Sequence, residues 1–280
     1  MNDSATRLRI GTDDHKVRFC RRFIDGFQPF EAGEIRWPVL SEGELHRLRG
    51  LPFWSEAVSS ERTAAARVRA MADAERDPLL REAIAMQAHE EERHARLLEH
   101  LLAHYGIVLP DDAPVKPRDA EWGFLRMGYG ECFDSFFAFG LFRIAADTGF
   151  FPRALVDVFD GVMQEEARHI LFFTNWAAYH GARLPLLQRP WFAIRRTAGV
   201  ALQAIGRVRT ALQLRGADAG DDFTMQVPDE IGDVTLLELA RTCMHENERR
   251  LAPHADGLLR PRMVATAVGV ALRFASGTRG

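Results

Sequence analysis

The chain has 280 residues, of which 47% are hydrophobic and 27% charged, and a formal net charge of −3. That length suits one large domain or two small ones with a sizeable core, and the near-neutral balance excludes a field that would draw the whole molecule to nucleic acid or an acidic membrane. Cys20, Cys132 and Cys243 form no Cys-x-x-Cys and suggest no disulfide framework, the opening residues have no apolar leader core, and no run of about 18 apolar residues occurs, so a reducing cytoplasm and no transmembrane segment are expected.

In chain order, residues 1–50 mix both charge signs with scattered aromatics such as Phe27, Phe30 and Trp37, and read as a lead-in packed on the main body. Residues 54–76 are dominated by alanine and arginine, both strong helix formers. Asp77-Pro78 reads as an N-cap followed by proline at the first helical position, opening a second helix that stops at Gly106. Residues 106–127 contain Pro110, Pro114 and Pro117 and predict a long non-helical connection. A third helix is predicted over 129–148 and a fourth from Pro152 through about 180, stopping at Gly181. Residues 190–213 read as a basic amphipathic helix, 215–230 as a loop, and 234–250 and 261–275 as two closing helices. Nothing reads as a strand, so the predicted class is all-α.

The pattern Glu-Glu-x-Arg-His stands at 90–94 and again at 165–169. A shift of 75 residues carries Glu90, Glu91, Arg93 and His94 onto Glu165, Glu166, Arg168 and His169, Gly106 onto Gly181, and Leu109-Pro110 onto Leu184-Pro185. The repeat predicts two helix hairpins of common design. In an antiparallel pair, residues equally far from the turn share a depth. Glu91 lies 14 residues after Asp77 and Glu61 lies 16 before it, which at about 1.5 Å per residue puts them within roughly 3 Å of one level. Glu166 lies 14 after Pro152, and Glu131 lies 18 before Gly149. Asp134, one turn along from Glu131, is the reserve for its role.

Residues i and i+3 share a helix face, so Glu91 points with His94 and Glu166 with His169. Four helices aiming these groups at one point would gather four carboxylates and two imidazoles. Buried without cations, such a cluster carries heavy repulsion and desolvation. Two divalent ions would balance it, and carboxylate-imidazole sets suit iron or manganese, zinc less distinctively. If the second and third helices run parallel, the connection must travel about 30 Å, which the stretch 106–127 can span when extended.

Glu61, Glu91-x-x-His94, Glu131 and Glu166-x-x-His169 together resemble the ferritin-like di-iron carboxylate superfamily, whose pattern is one Glu from each of two helices and Glu-x-x-His from each of two others. The resemblance covers about residues 54–181. It implies a four-helix bundle with one long crossover over 51–185, between the lead-in of 1–50 and additional helices over 186–280. Glu91 and Glu166 match the bridging carboxylates, Glu61 and Glu131 the terminal ones, and His94 and His169 one cap on each metal. It further implies a di-iron (or Mn/Fe or Mn) oxidase or oxygenase that uses O2 on a small organic substrate. A ferroxidase and a non-enzymatic scaffold with a structural metal site are the alternatives, and a homodimer is compatible with each. With no Gly-x-Gly-x-x-Gly after a strand, no nicotinamide or flavin site is evident, so an external electron donor protein is expected, with Arg195, Arg196 and Arg207 as a basic docking face.

The remaining candidates have plainer readings. Glu90 and Glu165 read as solvated helix positions, Arg93 and Arg168 as partners of carboxylates, and His89, His100 and His104 as exposed. His245 and Glu246 lack metal-ligand spacing. Phe133, Phe136, Phe137, Phe139 and Phe142 read as core, with a pocket wall beside Glu131 as the second option, and Tyr129 reads as structural.

Overall fold

The computed structural model describes residues 9–51, 53–109, 117–216 and 234–277. Among them the chain forms nine α-helices, one 3-10 turn and no strand, so the all-α expectation holds. The helices are α1 (Asp13–Ile24), α2 (Glu42–Gly50), α3 (Trp54–Ala74), α4 (Pro78–His104), α5 (Ala120–Thr148), α6 (Arg153–Arg183), α7 (Arg189–Gly216), α8 (Leu236–Leu251) and α9 (Met263–Gly277). No helix among the described residues is long and apolar enough to cross a membrane.

Local chemistry sets several boundaries. The Asp77 carboxylate accepts from the backbone N–H groups of Leu79 and Leu80, and Pro78 follows at N1, so α4 starts where the dipeptide places it. Gly106 takes φ 69°, and Ile107 N–H closes back on Leu102 O at 2.8 Å, ending that helix in a left-handed cap. Ser41 with Glu44, and Thr235 with Glu238, form capping boxes that open α2 and α8.

The lead-in, given no secondary structure above, is helical in α1 and α2. Two boundaries are corrected. Helix α5 begins at Ala120 rather than near 129, because the Asp119 side chain accepts from Trp122 N–H as soon as Pro117 is passed. The connection is correspondingly shorter, and Pro110 and Pro114 lie outside the described residues. Helix α6 runs through Gly181 to Arg183, and stops where Pro185 forces Leu184 into extended backbone, ψ 145°. Gly181 instead leaves room for the Phe192 ring of α7, which a β-carbon there would approach to 3.0 Å. The two glycines related by the repeat therefore do different jobs. Most of the predicted 215–230 loop lies outside the described residues, beyond the end of α7 at Gly216.

Helices α3 and α4 pair antiparallel, with Arg62 on Glu99 and Arg69 on Glu92. Helices α5 and α6 pair the same way, with Glu121 against His180 and Ser135 against Glu166. The pairs meet through α3 on α5 and α4 on α6. Helix α1 lies across α4 and α6, where His15 donates to Asn175 and Phe19 packs edge-on to Phe172. Helix α7 covers α5 and α6, and α8 packs on the same two helices with α9 beyond it. Phe124, Phe139, Phe172, Phe173 and Trp176 are fully buried between these layers, each removing apolar surface worth about 1.5–3 kcal/mol.

The α5–α8 contact depends on Gly140. A β-carbon there would stand 2.3 Å from Cys243 Sγ and 2.9 Å from Cys243 N, so backbone as well as side chain blocks it. Gly140→Ala is expected to destabilise the fold by about 1–3 kcal/mol, and Cys243→Ala should not rescue it, because the backbone clash remains. Urea denaturation of the single and double variants checks this.

On the α6 side of α8, the Gln164 amide donates to His254 Nε2 at 2.7 Å. Burial, and then the charges of Arg168 and Arg22, push His254 down to about 4. The unfolded chain protonates this group near 6.5, so its contribution is present above about pH 6.5 and is lost as pH falls toward 4. A His254→Gln variant should show a flatter decline of stability across that window, measured by denaturant midpoints against pH.

Candidate metal centre

At the middle of the paired helices, each hairpin contributes a Glu-Glu-x-Arg-His turn from α4 or α6 and a single glutamate from α3 or α5. Helical spacing separates the two consecutive glutamates of each motif by about 100°. Glu91 and Glu166 turn inward with the histidines, whereas Glu90 and Glu165 reach across to the opposite hairpin.

The inner groups converge. Ligand atoms of Glu61, Glu91, His94 and Glu166 all lie within 4.8 Å of one another, and so do those of Glu91, Glu131 and His169. His94 Nδ1 stands 3.2 Å from Glu166 Oε1, 3.7 Å from Glu61 Oε2 and 3.8 Å from Glu91 Oε2. His169 Nδ1 stands 3.1 Å from Glu91 Oε1 and 3.7 Å from Glu166 Oε1. Glu91 and Glu166 therefore each reach both imidazoles, while Glu61 joins only the His94 group and Glu131 only the His169 group. All six residues singled out in the sequence meet here. Asp134, held in reserve, points outward and is paired with Arg207.

Both histidines present Nδ1 to this cluster, and neither Nδ1 has a hydrogen-bond partner although both rings are buried. The other nitrogen is spoken for. His94 Nε2 donates to Glu165 Oε2 and His169 Nε2 to Glu90 Oε2, each at 2.8 Å. This holds one proton on Nε2 and makes Nδ1 the nitrogen that faces the carboxylates, available to a cation once any second proton leaves it. The same outer glutamates take a guanidinium each, Arg93 on Glu165 and Arg168 on Glu90, both at 2.5 Å. Arg93 also donates to Gln28 O and Arg168 to Gly26 O, while the aromatic faces of Phe30 and Phe23 cover them.

Glu90 is 0% and Glu165 4% exposed, which corrects their reading as solvated positions. Their signal was present in the sequence, since both motifs double the glutamate and keep the arginine three residues on. What a single helix cannot show is that the partner hairpin supplies the imidazole. Gln87 and Ser135 were also missed. Gln87 donates to Glu91 and Glu131 at 3.2 and 3.4 Å, and Ser135 to Glu166 at 3.4 Å, so these amide and hydroxyl groups aim the inner carboxylates. Arg93 and Arg168 are carboxylate partners, as expected, and His89, His100 and His104 are exposed. Glu246 is buried on Arg249 and Arg250 rather than joined with His245 in a metal group.

The electrostatics reflect crowding. Burial, then the charges of Glu91 and Glu166, holds the Glu131 carboxyl well above the usual range. Burial raises Glu61 to about 7 against the opposing pull of His94. Burial disfavours charge on His94 and His169, but the surrounding glutamates outweigh it and raise both well above the usual histidine value. The cluster thus keeps protons that a cation would displace, and metal uptake would release them.

An all-helical chain with a buried Glu/His cluster able to hold a metal ion fits a ferritin-like fold. No family model, curated protein or solved structure matches the chain.

Removing an outer glutamate strands a buried guanidinium. Glu90→Ala or Glu165→Ala is expected to destabilise the fold by about 3–5 kcal/mol, whereas Glu92→Ala, on the half-exposed pair with Arg69, should cost under about 1 kcal/mol. Guanidinium denaturation of the three variants checks the contrast.

Proposed function

We propose that this chain is a di-metal carboxylate oxidase or oxygenase, built on a ferritin-like four-helix bundle of α3 to α6, that uses O2 on a small organic substrate. The observation that carries the reading is the pair of unpartnered Nδ1 atoms, on His94 and His169, each facing its own share of four glutamates. Glu61, Glu91, His94 and Glu166 would hold one ion, and Glu131, His169, Glu91 and Glu166 the other. The reach of Glu91 and Glu166 to both imidazoles supports their role as bridges. Mixed carboxylate and imidazole donors suit iron first, with Mn/Fe or Mn as variants.

When bound, a reduced iron pair supplies electrons to O2 for oxidation of the substrate. The chain's own part is to fix and insulate. Glu90 and Glu165 keep each imidazole in the Nε2–H tautomer and in one ring orientation. Gln87 and Ser135 steer the inner carboxylates, and the two arginines neutralise the outer ones without entering the cluster. Phe23, packed on His169, and Phe172 behind it keep that side dry. Two divalent ions balance four carboxylates, which supports a pair of ions over one.

Of the basic residues expected to dock an electron donor, Arg195 is tied to Asp119 and Glu121, and Arg207 to Asp134. A donor surface on α7 would have to rest on other arginines of that helix.

Purified protein loaded anaerobically with Fe(II) is expected to hold about two ions per chain and to consume O2 on exposure to air. Glu166→Ala or His169→Ala should lose about half the metal or more, read by elemental analysis, since each removes a donor from at least one ion. Full occupancy in both variants would sink the reading.

A further inference from the structure

Helices α5, α6 and α7 and the start of α9 line a cleft of about 460 Å³ that is open to solvent on one side, within the range of small-molecule sites. Its inner surface is apolar. Tyr129, Cys132, Phe173 and Ala177 are buried there, and Val200 and Val264 close the sides. Three arginines, Arg196, Arg260 and Arg262, complete the lining, and no aspartate or glutamate is part of it. The neighbouring arginines of α7 that lie outside the cavity hold carboxylates, Arg195 on Asp119 and Arg207 on Asp134. Arg196 instead donates Nε to the Tyr129 hydroxyl at 2.9 Å, and Arg260 reaches Glu248. Among the described residues no carboxylate pairs with Arg196 or with Arg262. An open apolar cleft whose exposed rim carries Arg196 and Arg262, neither paired with a carboxylate among the described residues, matches one ligand chemistry.

We infer that this cavity binds an amphiphilic anion, an apolar body carrying a single carboxylate or phosphate head. The head meets Arg196 and Arg262, and the body lies along Phe173, Val200 and Val264. The cleft lies close to the proposed ligands, but none of the six lines it, so this is a ligand site beside the centre and stands independently of the di-metal reading. Cys132 directly follows Glu131, and Phe173 stands four residues beyond His169 on α6, about 6 Å along the axis. The aromatic run at 133–142, weighed as a pocket wall, contributes nothing to this cleft.

Isothermal titration of the purified protein with decanoate, decyl phosphate and decanol tests the inference. The anions are expected to bind at least about 10-fold more tightly than decanol, the size of a hydrogen bond to a charged group, and the tighter of the two assigns the head. Arg196→Gln/Arg262→Gln should remove that preference while decanol binding persists, and Val200→Trp should block all three. Equal affinity for decanoate and decanol, no binding of any of the three, or an unchanged preference in the double arginine variant overturns it. Binding is read without turnover, so the two readings separate. Decanoate uptake by protein that fails to hold iron would sink the metal centre and leave the pocket standing, and iron-loaded protein indifferent to all three ligands would do the reverse.

Discussion

The crossed contact between hairpins, in which a glutamate of one helix pair grips both the imidazole and the arginine of the other, is the constraint on which the rest depends. It occurs twice, as Glu90 with His169 and Arg168, and as Glu165 with His94 and Arg93. Burying two carboxylates and two guanidiniums is unfavourable unless each finds its partner, and here each partner sits on the other pair. The hairpins therefore cannot slide by a residue or separate without stranding charge. The register that brings the six inner groups together is the register that satisfies the four outer ones.

That arrangement also explains why the inner cluster tolerates its own composition. Four glutamates within a few ångströms are costly in low dielectric. The chain surrounds them with donors that orient but do not neutralise, and turns two imidazole Nδ1 atoms inward. Burial and mutual repulsion favour protons on Glu61 and Glu131, and the glutamates favour protons on both imidazoles. The cluster is thus poised between protonation and cation binding, the condition expected of a site whose affinity is set by pH as well as by ligand geometry.

Much of this was legible in the sequence because helices convert spacing into direction. The i, i+3 relation aims Glu91 with His94 and Glu166 with His169, and equal distance from a turn predicts equal depth for Glu61 and Glu131. What escaped was anything that depends on the neighbouring helix. Glu90 and Glu165 look solvated when their own helix is considered alone, and are buried only because another hairpin covers that face. Gly181 looks like a helix stop until the Phe192 ring is seen against it. The start of α5 was masked by three prolines, of which the last, Pro117, lies just ahead of the Asp119 cap. The cavity was hidden for the same reason, since its walls come from four segments far apart in the chain.

The backbone carbonyls of Gly26 and Gln28 receive the far ends of Arg168 and Arg93. One short stretch between α1 and α2 thus clasps both halves of a nearly symmetric core from a single side. A fragment beginning at α3 would retain every inner donor and still leave two enclosed guanidiniums short of an acceptor. The smallest autonomous unit is therefore larger than the four rods that carry the cluster, and the segment joining α1 to α2 belongs to its architecture as a fastening.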